Sequence, residues 1–116
     1  MRILTYPQQW RCDECGGLIE RVEEGWLEWR HEWPNDPRLY GFRIVHHFSA
    51  SPYGPHGTCY AAQRLPGRPL SFFIGPEGLD KLLTILEDQR VRELAGFAEV
   101  IRRLHLPGHE ERRATV

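Results

Sequence analysis

Three cysteines and a pair of adjacent histidines are the side chains of this chain best suited to bind a metal ion. Cys12 and Cys15 are separated by two residues and followed by two glycines. Two thiolates on such a tight turn reach one ion at about 2.3 Å, and the small residues after them let backbone amides approach the sulfurs. The third cysteine, Cys59, follows the His46-His47 pair along the chain. One imidazole would complete a tetrahedral Cys₃His site for Zn²⁺ that uses every thiol.

The histidine pair offers two alternative ligands. Successive side chains of a strand point to opposite faces, so one ion is expected to take only one of the two imidazoles. His46 would share its face with Phe42, Ile44 and Phe48, which we expect to be buried. A structural ion belongs beside the core, and His46 is therefore preferred, while His47 stays open as the alternative ligand.

Two resemblances are carried by these residues. Residues 12–17 resemble the first knuckle of zinc-ribbon proteins, although the second Cys-x₂-Cys pair of a complete ribbon is missing from the sequence. The resemblance implies a structural zinc ion. The run Ile44-Val45-His46-His47 is similar to the strand end of His-metal-finger (HNH) endonucleases. That resemblance implies a nuclease in which His47 is the general base and His46 helps to hold a catalytic divalent ion, with His56 as the one nearby candidate for the next metal residue.

A thioredoxin-type redox function is a further alternative for Cys12 and Cys15. That chemistry needs a helix N-terminus in a βαβ setting to stabilise the thiolate. No βαβ pattern surrounds the two cysteines, and the negative charges of Asp13 and Glu14 between them disfavour the thiolate. The metal interpretation is therefore preferred over the redox interpretation.

The charge balance favours a protein partner over a nucleic acid. The chain carries 15 basic and 16 acidic residues, for a formal net charge of −1. Nonspecific nucleic-acid binding requires a basic surface that neutralises phosphates. Only the middle of the sequence offers such a patch, which keeps a nucleic-acid-binding zinc module as an alternative and consists of Arg38, Arg43, Arg64 and Arg68.

Tryptophan and arginine are enriched at the centres of protein interfaces, which makes three residues candidates for partner binding. Trp26 and Trp29 would face opposite sides of a strand because they are three positions apart, so one of them is expected to be exposed. Arg43 lies in the basic middle segment. We expect a protein partner to contact Trp26, Trp29 or Arg43.

The sequence also bounds the compartment and the source. No apolar run approaches the roughly 20 residues that span a bilayer, and the first ten residues do not have the pattern of a signal peptide. A cytoplasmic protein without membrane association is therefore expected, and free thiols suit that reducing environment. Arginine supplies 14 of the 15 basic residues, a bias that indicates a GC-rich bacterial genome.

Turn residues and apolar spacing predict the elements that must bring the cysteines and the histidine together. Residues 18–33 fit a helix by apolar spacing, but Gly25 and the cluster of tryptophans favour a strand. The best strand is residues 40–48, and we expect it to pair with residues 26–31 across a long loop that includes the turn cluster at 33–37.

The last third of the chain is predicted to be helical. Gly75-Pro76-Glu77 is typical of a helix start. Residues 87–90 are entirely polar and favour two packed helices over a single long one. The first helix should bury Leu79, Leu82, Leu83 and Leu86, and the second should bury Leu94, Phe97, Ala98, Ile101 and Leu104.

The predicted fold is α+β, with a small antiparallel sheet pinned by one zinc ion and packed against a C-terminal helical pair. One domain would span residues 1–108, with the sheet and metal site in 1–75 and the helices in 76–106, followed by a flexible tail at 109–116. The sequence has no phosphate loop, nucleophile elbow or dinucleotide fingerprint. We therefore expect a zinc-binding accessory protein that acts non-catalytically through a protein-binding surface.

Overall fold

A computed structural model describes residues 7–47, 58–61 and 65–114. The strands are β1 (Trp10–Arg11), β2 (Leu18–Ile19), β3 (Gly25–Glu32), β4 (Asp36–His46) and β5 (Gly67–Pro69). The helices are α1 (Thr58–Ala61), α2 (Gly75–Glu87), α3 (Leu94–His105) and α4 (His109–Ala114). Two 3₁₀ turns, Val22–Glu24 and Leu70–Phe73, precede β3 and α2. Within the described ranges, a helix with the length and apolar character of a bilayer span is not found.

The strands form two antiparallel sheets, which confirms the predicted α+β class. β1 and β2 make a two-stranded sheet, and the second sheet has the order β4-β3-β5. α3 packs on β4, where the rings of Phe97 and Phe42 lie 5.1 Å apart. The larger sheet is therefore packed against the C-terminal helices through α3, and α2 packs on α3.

The hairpin of β3 and β4 is the centre of the fold. The strand interpretation is confirmed for residues 25–32, and the predicted pairing is confirmed by the register of Leu27 with Ile44. The predicted long loop is wrong, because β4 begins at Asp36 and leaves only residues 33–35 as a turn. Pro37 does not stop the strand, since β4 lies at the edge of its sheet, where proline is tolerated.

The outer edge of β4 is covered at two places by other parts of the chain. The knuckle (residues 12–17) lies against one end, where the Asp13 N–H donates to the Ile44 carbonyl at 2.7 Å and the Ile44 N–H donates to Asp13 Oδ2 at 2.8 Å. At the other end, the Leu39 N–H donates to the Arg90 carbonyl at 2.6 Å and the Arg92 N–H to the Leu39 carbonyl at 2.9 Å. These bonds use backbone groups that an open edge would leave unpaired.

Two separate helices, α2 and α3, follow the sheet, which confirms the two-helix interpretation. The first turns of α2 pack closely on the 3₁₀ turn before it. Gly78 lies directly against the Phe73 backbone, where a Cβ would sit 2.0 Å from the Phe73 carbonyl carbon. The fully buried core includes Trp10, Ile19, Leu27, Ile44, Leu70, Leu82, Phe97 and Leu104.

The predicted burial of Leu83, Leu86 and Leu94 is wrong. Their side chains are 40%, 37% and 63% exposed, respectively. α2 packs against the 3₁₀ turn before it and against α3, and this narrow contact covers Leu82 but not the next row of leucines. The predicted helical periodicity is correct, but the elements that pack on these helices cover only part of the width of each apolar stripe.

Arg103 connects α3 to the knuckle and to α4. Its side chain is 3% exposed and forms ion pairs with Asp13 Oδ2 at 2.6 Å and with Glu110 Oε2 at 2.8 Å. A third bond runs from Arg103 Nη2 to the Arg11 carbonyl at 2.8 Å. A buried guanidinium needs such partners, because an unpaired buried charge is strongly destabilising.

The described part of the predicted flexible tail, residues 109–114, forms α4. Glu110 holds this helix against the domain, since it accepts hydrogen bonds from Arg103 and from the Arg11 N–H at 2.8 Å. The contact joins residues 99 positions apart, so it has no local signal in the sequence.

We predict that Arg103→Met destabilises the fold by about 3 kcal/mol or more, because it leaves the buried carboxylate of Glu110 without its main partner. Urea denaturation of the two proteins measures the difference. Arg113→Met is the matched control, since Arg113 also pairs with Glu110 but its side chain is 35% exposed. Equal losses of stability in the two variants would contradict this role of Arg103.

The same ion pair predicts a pH dependence of stability. Burial alone would raise the pKa of Glu110, but hydrogen bonds from Arg103 and from the Arg11 backbone outweigh it and hold the pKa below its usual 4.5. The unfolded chain therefore binds the proton first on acidification, and the stabilisation present above pH 4.5 is lost as the pH falls through the folded-state pKa. The stability difference between wild type and Glu110→Gln should shrink from pH 7 to pH 3, whereas Glu111→Gln should show no such trend.

Candidate metal centre

Four side chains from distant parts of the chain meet at one point. The ligand atoms of Cys12, Cys15, His46 and Cys59 all lie within 4.8 Å of one another. Nδ1 of His46 is 3.4 Å from Cys15 Sγ and 3.8 Å from Cys59 Sγ. In a tetrahedral zinc site, Zn–S and Zn–N distances of about 2.3 and 2.0 Å place a sulfur and a nitrogen ligand about 3.5 Å apart. The observed separations therefore suit one shared ion.

The knuckle between β1 and β2 positions the first two sulfurs. Gly16 turns the chain with φ of +77°, and its N–H donates to the Cys12 carbonyl at 3.0 Å. Side-chain-bearing residues rarely adopt this left-handed conformation, which explains why glycine follows Cys15. The turn closes where the Cys12 N–H donates to the Gly17 carbonyl at 2.8 Å. Both thiols therefore point to the same side of a short, rigid loop.

Backbone amides surround the sulfurs of the knuckle. The N–H groups of Glu14 and His46 each lie 3.4 Å from Cys12 Sγ, and the Gly17 N–H lies 3.3 Å from Cys15 Sγ. Donors in these positions complement the negative charge that a metal-bound sulfur carries. The bond from His46 also fixes the knuckle to the strand that carries the imidazole.

The imidazole of His46 is oriented by a second contact. Nε2 lies 3.0 Å from the Leu18 carbonyl, and a carbonyl can only accept, so Nε2 carries the proton. In the neutral ring Nδ1 is then the nitrogen with the lone pair, and it faces the sulfurs of Cys15 and Cys59. A histidine held by a backbone carbonyl in this way is typical of metal ligands, because the outer bond fixes the tautomer and the ring orientation.

The fourth candidate ligand, Cys59, comes from α1 and is completely buried. Its neighbour Tyr60 packs on the hairpin, with its ring 4.8 Å from Trp26 and stacked on His47 at 5.6 Å. This aromatic packing holds a helix of only four residues in place. Sequence analysis identified Cys59 as a candidate ligand but did not identify the aromatic contacts that position it.

His47 lies outside the group of side chains that can share the ion, within the part of the chain that the structure describes. Its ring packs against those of Trp26 and Tyr60, at 5.5 and 5.6 Å, and its backbone N–H donates to the Glu24 carbonyl at 2.7 Å. His56, the other residue of the nuclease alternative, is outside the described residues. His47 therefore contacts two aromatic rings and is not part of the cluster.

The predicted partner-binding residues are engaged within the fold. Trp29 packs against the rings of Phe42 and Phe73 at 6.1 and 6.2 Å, and Trp26 packs on α1. Arg43 forms ion pairs of 2.8 Å with Glu14 and Glu28. Trp26 and Trp29 are both half-buried, whereas Trp33, at the hairpin turn, is 69% exposed.

Two of the described arginines of the predicted patch are paired with carboxylates. Arg38 pairs with Asp36 at 3.0 Å, and Arg43 pairs with Glu14 and Glu28. Nη1 of Arg68 donates to the Gly67 carbonyl at 3.0 Å. Arg64 lies outside the described residues.

The acids of the knuckle are each paired with an arginine. Asp13 pairs with Arg103 and Glu14 pairs with Arg43, at 2.6 and 2.8 Å. These pairs offset negative charge next to three thiols that must lose their protons to bind a metal. Arg43 also reaches Glu28, whose burial raises the pKa of its carboxyl despite the hydrogen bond from Arg43.

Comparisons with known proteins identify no relative: no protein-family model, curated protein or solved structure matches this chain. The cluster of four side chains is compatible with the resemblance of the knuckle to zinc ribbons. The metal interpretation therefore rests on the geometry of this chain alone.

Two glycines provide a test of the knuckle geometry. We predict that Gly16→Ala destabilises the folded protein by about 1 kcal/mol, since the added Cβ is strained at positive φ although it meets nothing within 4 Å. Gly96→Ala is the matched control, because Gly96 lies within α3 with the same open surroundings. There alanine should increase stability by about 0.5–1 kcal/mol. Thermal and urea unfolding measure both changes, and a shift of the same sign at the two positions would contradict the prediction.

Proposed function

We propose that Cys12, Cys15, His46 and Cys59 bind one Zn²⁺ ion and that the ion is structural. The observation that carries this proposal is the convergence of the four ligand atoms within 4.8 Å. They come from three separate segments: the knuckle, the end of β4, and α1. A single ion would tie these segments together.

The chemistry of the donors supports zinc over the hard divalent cations. Thiolate and imidazole are ligands that zinc prefers, whereas Mg²⁺ and Ca²⁺ take oxygen ligands. Four protein ligands fill a tetrahedral shell and leave no position for water or substrate, which is typical of structural zinc sites. The burial of Cys12, His46 and Cys59 agrees with a role in the core rather than in a reaction.

The size of the protein explains why such a site would be useful. A domain of this length is stable by only about 5–15 kcal/mol. A structural zinc site contributes an apparent binding free energy of about 10 kcal/mol or more, and this adds to folding because the site does not exist in the unfolded chain. The ion would therefore decide whether the segments from 10 to 59 fold.

We further propose that the protein acts non-catalytically through a surface that binds another protein. The net charge of −1 supports a protein partner. The pairing of Arg43 with two carboxylates, Glu14 and Glu28, also argues against a phosphate-binding patch.

Metal analysis and a pair of adjacent variants test the zinc site. Elemental analysis of the purified protein should give one zinc per chain, and a chelator should unfold the domain. His46→Ala should lose the zinc and most of the thermal stability. His47→Ala removes the same ring one position away and should keep one zinc per chain with a smaller loss of stability.

Three results would contradict the proposal. They are a protein without zinc, a zinc content unchanged in both His46→Ala and Cys59→Ser, or a thermal midpoint that a chelator does not change. Cys59→Ser is informative besides His46→Ala because it removes the ligand of a different segment, α1.

A further inference from the structure

We propose that a groove beside α2 binds an acidic amphipathic segment of a partner protein. This inference rests on the proposed function, to which it adds the surface and the chemistry of the partner. The groove has a volume of about 480 Å³ and lies between the end of α2, the link to α3 and the start of β4. We call it the leucine groove. It is lined by Arg38, Leu86, Gln89, Val91, Arg92 and Leu94.

Large apolar side chains are exposed in and beside the leucine groove. Leu94 is 63% exposed and Leu86 is 37% exposed, although both belong to apolar stripes that a helix normally buries. Leu83 lies three residues before Leu86, on the same side of α2, and is 40% exposed. Adjacent exposed leucines of this kind mark interaction sites on soluble proteins. An apolar face of a partner would be buried by them.

The floor of the leucine groove is held in place by the sheet. Val91 forms a bridge with Leu39 of β4 and is only 8% exposed. The backbone hydrogen bonds of Leu39 with Arg90 and Arg92 fix the link on both sides of Val91. The groove is therefore formed before a partner arrives, and little ordering free energy is needed to bind.

The charges that line the groove determine the sign of the partner. Both charged residues of the lining, Arg38 and Arg92, are cationic. Each already pairs with one carboxylate, Asp36 and Glu32 respectively. A guanidinium has five N–H donors, and these contacts use Nε and Nη2 of Arg38 and Nη1 of Arg92. Donors therefore remain for carboxylates of a partner.

The nearby acids do not reverse this preference. Glu87, Asp88 and Glu93 belong to the same stretch of chain but do not line the groove. A basic segment would place its charges against Arg38 and Arg92, which like-charge repulsion disfavours. Aspartate or glutamate next to leucine-like anchors fits the lining.

A second copy of this chain is a poorer occupant. In a symmetric dimer the same patch faces itself, so each groove would meet the arginines of the other copy. The unused guanidinium donors of Arg38 and Arg92 would then meet a lining that contains no carboxylate, whereas an acidic segment supplies the acceptors. A separate, acidic amphipathic segment is therefore the occupant that both the apolar and the charged residues favour.

Selection from a displayed library of random 16-residue peptides against the full-length, zinc-loaded protein tests this proposal. The enriched peptides should carry apolar residues at helical spacing together with aspartate or glutamate, and synthetic copies should bind the purified protein. Leu86→Ser and Leu94→Ser should each weaken binding about tenfold, as expected for anchors of an interface. Arg38→Glu combined with Arg92→Glu should weaken it further and reverse its dependence on salt, because added salt then screens repulsion instead of attraction.

Leu106→Ser is the matched control, because Leu106 is 45% exposed at the end of α3 and does not line the groove. It should leave peptide binding unchanged. The proposal is overturned if selection enriches no peptide, if the enriched peptides are basic, or if the groove variants bind them as wild type does. It is also overturned if the wild type is a dimer that Leu94→Ser converts to a monomer.

Zinc content measured on the same preparations separates the two proposals. One zinc per chain in the wild type and in every groove variant, together with a failure of peptide binding, would overturn the docking site and leave the zinc site intact. Peptide binding by a wild-type protein that contains no zinc would overturn the zinc site and leave the docking site intact.

Discussion

The contact between the knuckle and the edge of β4 is the interaction on which the candidate site depends. Two hydrogen bonds of Asp13 with the Ile44 backbone, one from its N–H and one to its carboxylate, place the knuckle beside the strand. The His46 backbone N–H reaches Cys12 Sγ at 3.4 Å. Because the strand alternates its side chains, this docking brings the imidazole of His46, and not that of His47, to the sulfurs. The same contact covers an edge that would otherwise be open to other strands.

The knuckle also links the metal centre to the C-terminal helices through charge. Three thiolates with one divalent ion would leave a site of charge −1, and Asp13 and Glu14 add two more negative charges. Arg103 and Arg43 offset these charges, and each connects the knuckle to another part of the fold: Arg103 to α4 and Arg43 to the buried Glu28. The arginines therefore stabilise the site and the packing of the domain by the same contacts.

The elements were predictable where the signal is local, and the contacts between them were not. The strand around Ile44 and the two helices follow from apolar spacing, and the knuckle from the spacing of Cys12 and Cys15. The exposure of Leu94 was missed because periodicity tells which residues share a face and not how much of that face another element covers. Arg103 was missed because its partner Asp13 lies 90 residues away, and no pattern in the sequence connects them.

β4 joins the metal centre to the leucine groove. His46 is at its last position, and Leu39, which holds the floor of the groove, lies seven residues earlier, about 23 Å along an extended strand. No side chain of the groove belongs to the metal cluster. An ion at one end of β4 would therefore act on the groove through the stability of the strand and its register with β3, and not through a direct contact. Coupling of this kind requires no second conformation: the groove exists where the hairpin is folded and the link between α2 and α3 pairs with Leu39.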